Sequence, residues 1–175
     1  MNSRGKSMRA AAVHWREAYG LAWALVGDHA RAEELAQEAF VRLGGMQREP
    51  DSDRPVRQLL LSIVRNLALD ELRRRRTESL DLALQEGAQI VDRGNQDPAQ
   101  LALGRERTER LQEILAQLKP TWRAMLYLKD GLDHSYRQIA ETLGKSEDVV
   151  RVTLHRARAR VRELSTDLDS EGGNS

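Results

Sequence analysis

Residues 135–162 read SYRQIAETLGKSEDVVRVTLHRARARVR, and this stretch decides the fold. Ser135 with Gln138 three positions on is a capping box, in which two side chains satisfy orphan amides of a helix's first turn. Ile139, Ala140 and Leu143 give that helix one apolar face. Gly144 stands where the chain must turn left-handed to leave the helix, a conformation glycine reaches without a Cβ clash. Ser146 predicts a second cap, and Glu147 and Asp148 suit the positive dipole end of the helix that follows. Val150, Leu154, Ala157, Val161 and Leu164 recur at spacings of four and three, which predicts a buried stripe. Arg151, His155, Arg158 and Arg162 keep the same rhythm on the opposite side and are basic. The pattern is a helix-turn-helix whose second helix is built to enter a DNA major groove. A basic stripe also fits an ordinary solvated face, so the decision rests on the remainder of the chain.

The chain has 175 residues and a formal net charge of only +1, but the charge is segregated. Residues 1–72 hold ten basic and ten acidic side chains, and Arg73 to Arg76 are four arginines in a row. Residues 77–104 hold five acids against Arg93, and residues 105–164 hold thirteen Lys or Arg against nine acids. Two basic bodies joined by an acidic linker fit a nucleic-acid binder. The absence of cysteine excludes disulfides, thiolate zinc sites and thiol catalysis. No apolar run approaches a membrane span and no signal-peptide core precedes the first helix, so a cytoplasmic protein without membrane contact is expected. His14, His29, His134 and His155 lack ligand spacing, and no nucleophile–base pair or phosphate loop is present. These features predict a binding protein, not an enzyme, with no cofactor and no metal.

Upstream, Trp15, Ala18, Tyr19, Ala22, Leu25 and Val26 step at three and four, predicting a helix that ends at Gly27. Asp28 caps a second helix with Ala32, Leu35, Ala36, Ala39, Phe40 and Leu43 inward. Its other face carries Glu33, Glu34, Gln37 and Glu38, either a solvated face or a dock for a basic partner. A Pro- and Asp-rich loop spans residues 46–56. A third helix is predicted over 56–76, on which Ser62, Asn66, Asp70 and Arg73 form one polar stripe able to bond base edges and phosphates. Arg73, Arg74 and Arg76 extend it toward phosphate, although cations also suit any helix C-terminus. The expected architecture is all-α: a helical domain over 10–76, a flexible acidic linker over 77–104, a helix-turn-helix domain over 105–164 and a disordered tail over 165–175. Trp122 reads as a core anchor of the second domain.

Three segments together, RAEELAQEAFVRL (31–43), LLLSIVRNLALDELRRRR (59–76) and SYRQIAETLGKSEDVVRVTLHRARARVREL (135–164), resemble the bacterial extracytoplasmic-function sigma factors. These are small initiation subunits of RNA polymerase. The resemblance implies that Glu33, Glu34, Gln37 and Glu38 grip the β′ clamp helices of core polymerase, with the β subunit a further contact. It implies that Asn66, Asp70, Arg73, Arg74 and Arg76 meet the minus-ten promoter element, and that the loop from Gly45 to Val56 captures a flipped base of the opened strand. It implies that Val149, Arg151, Val152, His155, Arg156 and Arg158 read the minus-35 element as duplex. The linker would run through the polymerase. Most of the family is held in check by an anti-sigma factor, which makes one a candidate partner. The chain departs from the family where a tryptophan usually precedes Leu60 and Leu59 stands instead, and where Val149 and Thr153 replace Thr and a basic residue. The rival expectation is a conventional helix-turn-helix regulator whose N-terminal half dimerises or senses a signal.

Overall fold

The computed structural model describes residues 11–46, 56–83 and 110–172, and among these all regular structure is helical. In chain order the elements are α1 (Trp15–Val26), α2 (His29–Gly45), α3 (Val56–Ala83), α4 (110–116), α5 (Pro120–Leu126), α6 (Tyr136–Leu143) and α7 (Glu147–Gly172).

The local signals read from the sequence are realised. Gly27 closes α1 at φ 71°, and the Asp28 carboxylate accepts from the Arg31 amide to cap α2. Ser135 and Gln138 form both halves of the capping box on α6, and Gly144 leaves that helix at φ 62°. The Ser146 hydroxyl accepts from the Val149 amide at the start of α7. Between α5 and α6 the chain widens into a π turn, Tyr127–Gly131, whose register is set by the Leu132 amide bonding the Tyr127 carbonyl. Asp133 follows at φ 52°, a left-handed position that short polar residues tolerate better than most.

Two boundaries differ from the expectation. The third helix does not stop at Arg76 but continues to Ala83. Thr77 and Glu78 bond back to Arg73 and Arg74 at the four-residue spacing, and nothing in 77–83 breaks a helix. The last helix likewise continues past Leu164 to Gly172, over most of the stretch expected as a disordered tail, because no Gly or Pro interrupts it before Gly172. The loop expected to capture a base lies outside the described residues over 47–55, and the expected linker does so over 84–104.

The helices of the two halves share one core. Leu21, Leu25, Leu35, Leu60, Leu61 and Val64 of α1–α3 belong to the same buried cluster as Met125, Leu128, Ile139, Leu143, Val150 and Leu154. A second, smaller cluster of Ile114, Leu118 and Leu164 ties α4 to α7, with Trp122 half-buried against it. Of the inward stripe of α7 foreseen from spacing, Val150, Leu154, Ala157 and Leu164 are buried and Val161 is half-buried.

Candidate nucleic-acid interface

α2 presents Glu33, Glu34, Gln37 and Glu38 to solvent, because Ala32, Leu35, Ala36 and Ala39 occupy its buried side. The like charges are not left bare. Arg31 pairs with Glu34, Arg42 donates to Glu38 at 2.6 Å, and Gln37 bonds Glu33 at 3.3 Å. Exposed pairs of this kind are worth about 0.2–1 kcal/mol each, so a basic partner can displace the arginines at small cost.

Behind this face sits a group that sequence reading passed over. Glu71 on α3 is buried and accepts from Arg31 at 2.9 Å, Arg74 at 2.8 Å and Arg75 at 2.9 Å. Burial opposes its charge, but the hydrogen bonds from Arg31, Arg75 and Arg74 outweigh that and hold its carboxyl at about 2. Arg75 also donates to the Val26 carbonyl. Arg74 and Arg75 therefore bond Glu71, and Arg73, Arg74 and Arg76 are all exposed. The spacing of Glu71 three and four residues before Arg74 and Arg75 was the available signal.

On the outer side of α3, Asn66, Asp70 and Arg73 are exposed in one line. Arg73 reaches Asp70 at 3.4 Å, and Asn66 Oδ1 accepts from Arg65 at 2.7 Å. Leu59, at the position of the family's usual tryptophan, is half-buried against the core.

On α7, Val149, Arg151, Val152, His155 and Arg156 all face solvent. Val149 and Val152 are 46% and 49% exposed, which makes them uncovered apolar groups between cations, suited to thymine methyls. The Arg151 guanidinium lies 4.8 Å over the Tyr136 ring, so its orientation is set by stacking on α6. Arg158 stands apart. It is half-buried and pairs with Asp130 at the end of the π turn, which leaves it less free than its neighbours to meet DNA.

Residues 12–78 match the family described as Sigma-70 region 2, and residues 108–161 match Sigma-70, region 4. The chain is 32% identical to the ECF RNA polymerase sigma factor SigL of Mycobacterium tuberculosis over 166 residues, covering 93% of this chain and 86% of SigL. The chain belongs to the ECF RNA polymerase sigma factors. Among the other relatives of this sigma factor, the ECF sigma factor SigE of Mycolicibacterium smegmatis is 33% identical over 164 residues. The probable sigma factor RfaY of Xanthomonas campestris is 37% identical over 158 residues. This sigma factor spans 62% of SigE and 38% of RfaY, so both relatives carry sequence that it does not match. Its fold is similar to that of the sigma factor RpoE of Bartonella quintana, solved in complex with the anti-sigma factor NepR. The TM-score is 0.73 at 21% identity, over 90% of this sigma factor and 95% of RpoE.

Proposed function

We propose that this sigma factor binds core RNA polymerase, directs it to specific promoters and assists DNA opening. Glu33, Glu34, Gln37 and Glu38 dock on the β′ clamp helices, with a further contact to the β subunit. Asn66, Asp70, Arg73, Arg74 and Arg76 meet the minus-ten element, duplex and then single-stranded. Val149, Arg151, Val152, His155 and Arg156 read the minus-35 duplex. An anti-sigma factor is a further partner of this reading, supported by the fold likeness to an RpoE solved with one. The work is done by binding energy in the cytoplasm, with no bond-making step.

The observation that carries the reading is the two-sidedness of α7. Val150, Leu154, Ala157 and Leu164 of its inward stripe are buried, while Val149, Arg151, Val152, His155 and Arg156 are exposed and point outward together. The test is binding of promoter fragments with single base changes across the minus-35 element. Arg151→Ala should relax the preference at one position by about 1–3 kcal/mol. Equal losses at every position would reduce Arg151 to a phosphate contact.

A further inference from the structure

Valine is a poor residue for a solvated helix position. Its branched Cβ fixes χ1 against the preceding turn, and at an exposed site no burial offsets that loss of freedom. α7 nevertheless carries Val149 and Val152 exposed, while Val150, Leu154, Ala157 and Leu164 of the same helix are buried. Both exposed valines lie in its first two turns, the part of a recognition helix whose side chains reach base edges.

Their angular positions sort the groups around them. At about 100° per residue, Val150, Leu154, Ala157, Val161 and Leu164 average to one direction, and Val152 stands within about 20° of its opposite. Asp148, one turn earlier, shares that central line and is exposed. Arg151 and His155 lie to one side of the line, and Arg156 and Val149 lie to the other. A helix laid in a major groove turns the centre of its outer face to the base edges and its margins to the two backbones. Val152 and Asp148 offer a phosphate no donor, so the centre of this face suits base edges. Thymine alone of the four bases presents a methyl group there, and a valine set against any other edge desolvates hydrogen-bonding atoms without replacing their bonds. Residues three apart on a helix have Cβ atoms about 5–6 Å apart, and stacked bases of one strand are about 3.4 Å apart, so the two valines cover neighbouring base pairs.

We propose that Val152, with Val149 beside it, reads the 5-methyl groups of thymines on neighbouring base pairs of the minus-35 element. The inference rests on the minus-35 assignment made above and names the base that two of its residues select. Arg151, His155 and Arg156 flank the apolar pair and supply the attraction to the duplex that brings it into the groove. Each methyl group moved from water into this contact is worth about a fourfold preference for thymine over the same base without it.

Deoxyuridine tests this directly, because it keeps the hydrogen-bonding edge of thymine and lacks only the methyl group. Promoter fragments carrying deoxyuridine at each minus-35 thymine in turn are titrated with the holoenzyme formed from core polymerase and the full-length chain. Affinity should fall about fourfold at one thymine and by a similar or smaller factor at its neighbour, and stay unchanged at the others. Val152→Ser removes both methyl groups from an exposed position, where the fold tolerates the change. This variant should bind the thymine and deoxyuridine fragments equally at the first site, as Val149→Ser should at the second. Arg151→Ala should weaken binding and keep the full thymine preference at both. A holoenzyme indifferent to every deoxyuridine overturns the methyl reading, as does a difference that survives in Val152→Ser or a minus-35 element with no thymine on either strand. The same titration with the minus-35 element scrambled separates the two readings. A large loss on scrambling beside indifference to deoxyuridine sinks the methyl reading alone, whereas unchanged affinity on scrambling sinks the minus-35 assignment and the methyl reading with it.

Discussion

Arg31 on α2 and Glu71 on α3 are joined by a 2.9 Å ion pair, and the same guanidinium pairs with Glu34 on the solvent face. One arginine thus links the buried carboxylate that organises the arginine run to the acidic surface proposed to dock on polymerase. Packing in the N-terminal half and presentation of its acidic face are physically connected.

Glu71→Gln should destabilise the protein by about 2 kcal/mol, less than a fully buried pair because Arg74 and Arg75 can turn to water. The wild-type contribution has a defined pH window. The folded carboxyl is lowered to about 2 from 4.5. Its stabilisation is therefore complete above about pH 4.5 and is lost as the pH falls toward 2. Urea unfolding of wild type and Glu71→Gln should converge at low pH; a constant gap down to pH 2 would refute the assignment.

His134 is buried with neither ring nitrogen bonded. Burial lowers its pKa below 6.5, helped by Arg57 and countered by Glu17 and Asp133, with Lys129 acting in the same direction as Arg57. A base with a depressed folded pKa stabilises the fold above its unfolded value, and that advantage is lost as pH drops below about 6.5. His134→Leu should leave stability at pH 7.5 equal or higher and flatten the decline of Tm between pH 6.5 and 5. A decline as steep as that of wild type would place the titrating group elsewhere.

How much of this was legible beforehand depends on the range of the interaction. Ser135, Gln138, Gly144, Asp28 and Gly27 announce helix ends because caps are satisfied within four residues of themselves, and each behaves as expected. The ends of α3 and α7 were read short, because falling apolar periodicity marks where a helix leaves the core, not where its backbone bonds cease. Gln58 looks like an interruption of an apolar face until its partners, some eighty residues away, are known. Sequence separation hid these contacts. The outward residues of α7 were legible as a group, but not the pairing of Arg158 with Asp130.

That pairing separates two arginines of one stripe. Arg158→Ala should lower stability by up to about 1 kcal/mol and leave base preference unchanged, since its partner is Asp130. Tyr136→Leu should act through Arg151, relaxing preference at the same base position as Arg151→Ala. Selection of promoter variants by each mutant checks both; a shifted preference in Arg158→Ala would return that residue to the reading surface.

Charge reversal at Glu34 and Glu38 removes only exposed pairs with Arg31 and Arg42, so Tm should fall by a few degrees at most. Affinity for core polymerase should fall at least about tenfold, because two attractive contacts become repulsive. Unchanged affinity would move the dock to another surface.

The central claim is that this chain reads promoters only as part of RNA polymerase, through two surfaces on two helices. Run-off transcription on genomic fragments with purified core polymerase tests it most directly. Discrete transcripts should require the protein, weaken with Arg151→Ala through the minus-35 element, and weaken with Asn66→Ala through the minus-ten element. Binding to palindromic sites without polymerase, and no protein-dependent transcripts with it, would contradict the account.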